Sequence, residues 1–219
     1  MGEFFTKHEY IGQYPIELDS RKLILGTIHA MNPAGFKLKF FYGSRGTLWN
    51  ILYKAFPDEL TDPTSVASIR SFLQARKIAM SDVIAACDRK RKTALDADLI
   101  NIQLHQDLLP QIRRSAITDI YFTSGLAANG AFRLFYTGLL KQRITDGIRG
   151  KREFELDEQF FGRPVRLHIL HSPSGAANIS LSKHPDFLAS IYADKREEAP
   201  VQAFKIDYYR RMFAKDRKG

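Results

Sequence analysis

Short apolar runs alternate along this chain with stretches whose apolar residues recur every three or four positions. That alternation predicts a βα arrangement built on a largely parallel sheet. Lys22-Leu23-Ile24-Leu25-Gly26 is a continuous apolar run that stops at glycine, and is read as a buried first strand. Leu99–Leu104 is the expected second strand, and residues 119–123 the third, running into Ser124-Gly125. Phe154, Leu156, Val165, Leu167 and Ile169 alternate with polar residues around Gly162-Arg163-Pro164. This is a hairpin signal, its second arm the expected fourth core strand. Helices are predicted over residues 47–56, where Leu48, Leu52 and Ala55 share a face widened by Trp49 and Ile51 and Pro57 supplies the stop. Others are predicted over 64–77, capped by Thr64 or Ser65, over 107–114, over 126–140, and over 200–215. The last has Ala203, Phe204, Ile206, Tyr208 and Met212 as candidates for its inner face.

Composition narrows the class. With 44% hydrophobic and 26% charged residues the chain has globular usage, which rules out a disordered composition. At 219 residues it is expected to form a single domain over 1–219. No apolar run approaches the roughly 20 residues needed to cross a bilayer, and residues 1–10 lack the apolar core of a signal peptide. The single cysteine, Cys87, excludes an internal disulfide and a multi-cysteine zinc site. A cytoplasmic protein is therefore expected, with Cys87 packed as a small hydrophobe in the run Val83-Ile84-Ala85-Ala86-Cys87. The six histidines are scattered, without cysteine partners or a His-Glu-x-x-His helix, so no metal site is predicted.

Charge adds a partner. Thirty-three basic against 24 acidic residues leave a net charge of +9, which attracts polyanions and makes nucleic acid a natural ligand. The basic residues cluster at Arg89-Lys90-Arg91-Lys92, at Arg149, Lys151 and Arg152, and at Arg210, Arg211, Lys215, Arg217 and Lys218. The last cluster also suits the negative end of a terminal helix. Nothing in the pattern calls for an obligate protein partner.

In open α/β sheets, ligands bind outside the carboxyl ends of the strands. Three expected strands run into small or polar residues there: Gly26-Thr27, Thr123-Ser124-Gly125, and His171-Ser172-Pro173-Ser174-Gly175. Glycine admits a ligand close to the backbone, and hydroxyls and free amides supply hydrogen bonds. His171 opens a loop that also holds Ser172, Ser174 and Asn178; a histidine there can donate to a base carbonyl or stabilise charge on a departing group. Phe36-Lys37-Leu38-Lys39-Phe40-Phe41-Tyr42 interleaves rings with cations, as a core strand or a stacking platform would. There is no Walker-type phosphate loop and no nucleophile elbow at Ser124, which lacks glycine two residues earlier.

Taken in order, these segments resemble the uracil-DNA glycosylase superfamily over residues 21–182, most closely its bacterial mismatch-specific and hypoxanthine-type branches. Leu23-Ile24-Leu25-Gly26-Thr27-Ile28-His29 is similar to the first motif. Phe41-Tyr42-Gly43-Ser44-Arg45 followed by Leu48-Trp49-Asn50-Ile51-Leu52 matches the segment that leads into a tryptophan helix. Ser81-Asp82-Val83-Ile84-Ala85-Ala86-Cys87 resembles the family's Asp-Val-Ile-Ala-Ser-Cys stretch, and the loop from His171 to Asn178 its closing motif.

The resemblance implies a three-layer α/β/α fold around a mainly parallel, four-stranded sheet, and a DNA glycosylase of base excision repair. Such an enzyme extrudes a deaminated or mismatched base, of the uracil or hypoxanthine type, and hydrolyses the N-glycosidic bond without a cofactor. On this reading the base meets Gly26, Thr27, Ile28, Phe41, Tyr42 and Ser124, with a ring from Phe41 or Tyr42 stacked on it. The DNA backbone meets Gly43, Ser44, Arg45, Ser172, Pro173, Ser174, Gly175 and Asn178, the loop after His171 also helping to stabilise the oxocarbenium-like sugar. Bound to DNA, such a protein would associate with the nucleoid. Family members place an Asp or Asn in the first motif to position water. Here His29 stands nearest and Asn32 lies three residues on, so the water-positioning group is open among His29, Asn32 and Asp82, the alternative being a catalytically weak or inactive glycosylase-like protein that binds nucleic acid. The asparagine that hypoxanthine-type members carry before the tryptophan helix is replaced by Gly46-Thr47.

Overall fold

The structure, a computed structural model, describes residues 4–194 and 198–214. Lys215, Arg217 and Lys218 of the expected C-terminal basic cluster lie outside the described residues, as does the end of the helix predicted over 200–215. The chain divides into two compact units. The first comprises the residues up to Ser44 and Leu73–Leu170; the second comprises Arg45–Phe72 and the residues from His171 onward.

The first unit is an α/β fold with two sheets. The larger contains β2 (Lys22–Gly26), β3 (Ile78–Asp82), β6 (Asp119–Phe122), β7 (Glu153–Leu156) and β8 (Val165–Ile169), in the order β3-β2-β6-β8-β7. The four strands β3, β2, β6 and β8 run parallel, and β7 adds an antiparallel edge through the expected hairpin, with Phe154 opposite Leu167 and Leu156 opposite Val165. The sheet is thus mixed and five-stranded, not four-stranded. Every residue of β2 and β3 is buried, as parallel strands covered on both faces require.

The second sheet is antiparallel, with β1 (Thr6–Lys7), β4 (Ile84–Arg89) and β5 (Leu99–Leu104) in the order β1-β4-β5. Here the expectation for Leu99–Leu104 is corrected: it is a strand, but it belongs to this sheet. The place beside β2 is taken by Ile78–Asp82, and Gly26 pairs with Asp82. Only Val83 separates β3 from β4 in the chain, so no turn residue marks where the apolar run changes sheets. Cys87 is fully buried in β4 among Ile84 and Leu99, and burial pushes its thiol pKa up.

Aromatic packing closes the main core. Phe122 of β6 meets Phe132 and Phe135 at ring distances of 5.3 and 5.2 Å, and Phe132 meets Phe154 of β7 at 5.5 Å. The helix expected over 126–140 begins later, at α4 (Ala131–Arg133), and continues as a π-helical segment from Leu134 to Leu139. Its start is delayed because Asn129 is left-handed at φ 61° and Gly130 packs against backbone: a Cβ there would lie 2.2 Å from the Gly125 carbonyl oxygen. The aromatic stretch 36–42 forms no strand; it is a chain of bends and turns with Leu38, Phe40 and Phe41 buried. The helix predicted over 107–114 is α3 (Leu108–Arg114).

In the second unit, α1 (Thr47–Ala55) buries Leu48, Trp49, Ile51, Leu52 and Ala55, the face its pattern predicts. α2 (Val66–Ala75) spans the chain boundary between the units. The short helices α6 (Asn178–Leu181) and α7 (Pro185–Leu188) precede α8 (Pro200–Phe213). The inner face of α8 departs from expectation. It buries Phe204, Lys205, Tyr209 and Phe213, whereas Ala203, Ile206, Tyr208 and Met212 are half-buried. Arg210 does serve a helix end, but that of α1: its guanidinium donates to the carbonyls of Ala55 at 3.1 Å and Lys54 at 3.3 Å.

A buried ionic cluster anchors the N-terminal end of the parallel strands. Asp119 accepts hydrogen bonds from His168 Nε2 at 2.9 Å, Thr118 Oγ1 at 2.8 Å and Arg166 Nη2 at 3.1 Å, and His168 stacks on Tyr121 with centroids 4.5 Å apart. Burial alone would raise the Asp119 pKa, but these bonds and the Arg166 charge overcome it and hold the value at about 2. A depressed carboxyl stabilises the fold above its unfolded value and loses that contribution as pH falls towards the folded one. Asp119→Asn should therefore destabilise the protein by roughly 3 kcal/mol at pH 7. Urea titrations should show the gap to wild type narrowing between pH 4 and about 2.

Candidate functional site

The candidate residues divide between the units, with Gly26 to Ser44, Asp82 and Ser124 in the first and Arg45 and the His171–Asn178 loop in the second.

In the first unit, the carboxyl ends of β2, β3 and β6 meet a single side chain from the aromatic stretch. Tyr42 Oη lies 2.6 Å from Thr123 Oγ1, which follows β6. Gly26 ends β2 between Tyr42 and Asp82, and a Cβ there would sit 2.3 Å from Asp82 Oδ1 and 2.4 Å from Tyr42 Oη. No other residue fits without displacing both. Tyr42 itself is left-handed at φ 58°, a strained conformation for a bulky residue and a mark of functional sites. Burial, and next the charge of Asp82, raise its phenol pKa well above the ordinary value, so the hydroxyl keeps its proton.

Asp82 is 5% exposed and accepts a 2.7 Å hydrogen bond from His8 Nε2. His8 Nδ1 in turn accepts the backbone amides of Tyr10 and Ile11, which fixes the tautomer. A second carboxyl is held by Thr27, the residue that follows Gly26. Thr27 Oγ1 donates to Asp96 Oδ1 at 2.9 Å, and Asn129 Nδ2 donates to the Asp96 carbonyl at 2.8 Å. Burial, opposed by the Thr27 hydrogen bond and aided by the Asp82 charge, raises the Asp96 pKa to about 6. Two carboxyls, Asp82 and Asp96, and the hydroxyls of Thr27, Tyr42 and Thr123 gather at these strand ends. One of these carboxyls is poised near neutrality.

The other expected residues of this unit are placed differently. His29 is buried with both ring nitrogens occupied, Nδ1 donating to Ala30 O at 2.8 Å and Nε2 accepting from the Glu9 amide at 3.1 Å. Burial lowers its pKa, and as a neutral framework ring it has no nitrogen left for water. Asn32 is exposed and left-handed, starting a short 3-10 turn. Ile28 packs with Ile84, Cys87 and Leu99 of the second sheet. Phe41 is 1% exposed in an aromatic cluster with His8, Tyr10, Tyr14 and Phe40, so of the two rings only Tyr42 stands at the strand ends. Ser124 caps the next helix, accepting the Ala131 amide at 2.8 Å, and its neighbour Thr123 takes the position facing Tyr42. Gly43 closes a tight turn in which a Cβ would meet the Leu38 carbonyl oxygen at 1.9 Å, and Ser44 is exposed. Sequence reasoning missed His8, Asp96 and Thr123. Only Thr123 left a signal, because alternation puts it and Ser124 on opposite faces.

The basic run is also reassigned. Arg89 is buried, donating to His29 O, Thr93 O and Thr6 Oγ1, and Arg91 pairs with Asp98 at 2.9 Å.

In the second unit, His171 is 4% exposed and its Nε2 lies 2.9 Å from Asp186 Oδ2. Its ring is flanked by His184 and Tyr208, both at 4.8 Å, and its carbonyl accepts from Tyr209 at 2.8 Å. The following loop is held from below by Lys205, whose Nζ donates to Ser174 O at 2.8 Å and Asn178 Oδ1 at 2.7 Å. Lys205 is fully buried, and desolvation lowers its pKa to about 8. Ser172 and Ser174 stabilise the turn by accepting the amides of Ser174 and Ala176, Pro173 is buried, and Gly175 and Arg45 are exposed. No metal was expected, yet His171, His184 and Asp186 place three ligand atoms within 4.8 Å of one another. The His184-Pro185-Asp186 triplet carried that signal, since histidine caps α7 and proline aims the aspartate back.

No helix among the described residues is long and apolar enough to cross a membrane. No family model matches the chain, and no curated protein matches it. Among solved structures, the chain is similar to a solution NMR structure of a "putative uracil DNA glycosylase" from Methanosarcina acetivorans. The two share 17% identity with a TM-score of 0.48, over 95% of this chain and 99% of the other.

Proposed function

We propose that this protein is a DNA glycosylase that releases a deaminated base, uracil or hypoxanthine, after extruding it from the helix. Extrusion is required because the glycosidic carbon is out of reach inside a stacked duplex. The observation that carries the reading is the polar cluster at the end of β2, where Asp82 and Tyr42 leave Gly26 no space for a side chain and Thr27 holds Asp96. The four motif-like segments, in family order, and the net charge of +9 support it.

In this reading the base lies against Tyr42, whose protonated hydroxyl and Thr123 supply hydrogen bonds. Asp96 is the general base. With a pKa of about 6 it is mostly ionised at pH 7 yet basic enough to draw a proton from water attacking the anomeric carbon. Asp82, kept in place by His8, favours the positive charge that develops on the sugar. The loop after His171 contacts the sugar-phosphate backbone through its turn amides.

Duplexes carrying uracil or hypoxanthine should acquire alkali-labile abasic sites. Asp96→Asn should lower kcat by about 10²- to 10⁴-fold. Because the base must be deprotonated, wild-type kcat should fall as pH drops below about 6, and that limb should disappear in Asp96→Asn. Gly26→Ala should abolish release, whereas Gly12→Ala, whose Cβ meets nothing within 4 Å, should leave it unchanged. DNA binding that persists with no base released at any salt concentration would defeat the enzymatic reading.

A further inference from the structure

The second unit carries a cluster that base release does not require. His171 Nε2 is 2.9 Å from Asp186 Oδ2, His184 Nδ1 is 3.6 Å from Asp186 Oδ1, and the three ligand atoms lie within 4.8 Å of one another. In a tetrahedral site with bonds of roughly 2.0–2.2 Å, neighbouring ligand atoms are about 3.3 Å apart. The two carboxylate–imidazole distances, one to each Asp186 oxygen, lie on either side of that value, and the side chains would draw together around a first-row ion.

The surroundings suit an ion. His171 is buried, with Tyr208 at 4.8 Å and Phe204 at 5.7 Å giving it an apolar wall, and Tyr209 fixes its backbone. An apolar shell raises the strength of the ligand field's electrostatics by excluding water. His184 and Asp186 are 33% and 45% exposed, which leaves an entry path and an open fourth position. Pro185, at the start of α7, fixes the backbone that spaces them. Imidazole and carboxylate without thiolate select borderline ions of the zinc class over soft Cu(I) and over Mg²⁺, which requires oxygen ligands. His184 Nδ1 at present accepts the Asp186 amide at 3.1 Å, and binding through that atom exchanges a cap bond for a metal bond.

We infer that His171, His184 and Asp186 form a site for a zinc-class divalent cation, open at its fourth position to water or a phosphate oxygen. Binding displaces the proton shared between His171 and Asp186, and no oxidation or group transfer is involved. The site stands apart from the proposed base release, since it can be read without DNA.

Metal-stripped full-length protein titrated with Co²⁺ should develop one equivalent of an intense visible d–d band of tetrahedral type, bleached by Zn²⁺, and Zn²⁺ should raise the melting temperature. Both responses should be absent in His184→Ala and in Asp186→Asn and retained in Asp58→Asn, whose site is exposed. Should His184→Ala fail to fold, as judged by circular dichroism, Asp186→Asn decides. No band and no thermal shift in wild type would overturn the inference, as would a band that survives in Asp186→Asn. Abasic-site formation is scored separately, so a protein that binds the ion without releasing a base, or the reverse, separates the two proposals.

Discussion

A buried carboxylate is costly unless its charge is hydrogen-bonded, and Asp82 sits at the end of an interior strand with little solvent to help it. Its partner is His8, which directly follows the first strand of the chain and pairs with it at 2.7 Å. His8 is committed in turn: its other nitrogen holds the amides of Tyr10 and Ile11, and its ring packs on His29 and Phe41. The N-terminal segment, the aromatic stretch and the loop after β2 are therefore organised around one charge. Without it, Tyr42 would have no reason to adopt a left-handed backbone beside Gly26. The packing that closes the core also shapes the polar cluster.

Patterning disclosed more of the fold than of the site. The strands Lys22–Gly26 and Val165–Ile169 and the helix at Thr47 were legible because each is bounded by a residue that ends it: Gly26, the Gly162 turn, Pro57. Ile78–Asp82 was not, because no glycine or proline ends it and it passes into the next strand with a single residue between. A parallel strand buried on both faces has no period to read. Lys205 was not legible for a different reason. Its inward position depends on two acceptors, Ser174 O and Asn178 Oδ1, that lie 27 or more residues away, and no local pattern encodes such a partnership.

The same limit explains the basic residues. Arg89 and Arg210 look like surface charge in the sequence, but each donates to backbone carbonyls that a helix end or a loop would otherwise leave unsatisfied. A guanidinium has five donors in a fixed fork, and both use it as scaffold. The positive surplus available to a polyanion is therefore smaller than the count suggests. It rests on residues such as Lys90 and Lys92, which are exposed.

The expected water-positioning residue was sought beside Gly26 in the chain, and the chain has none there. What the fold supplies is Asp96, from the turn between β4 and β5, brought to Thr27 by a hydroxyl and latched by Asn129. A carboxyl from a separate segment can occupy the place of a neighbour in sequence because position in space, not along the chain, sets a proton's path. Its burial raises the pKa towards the pH of use, something a carboxyl on an exposed loop could not achieve. On the proposed reading, the first strand end would draw its general base from a residue some seventy positions downstream that no motif would have named.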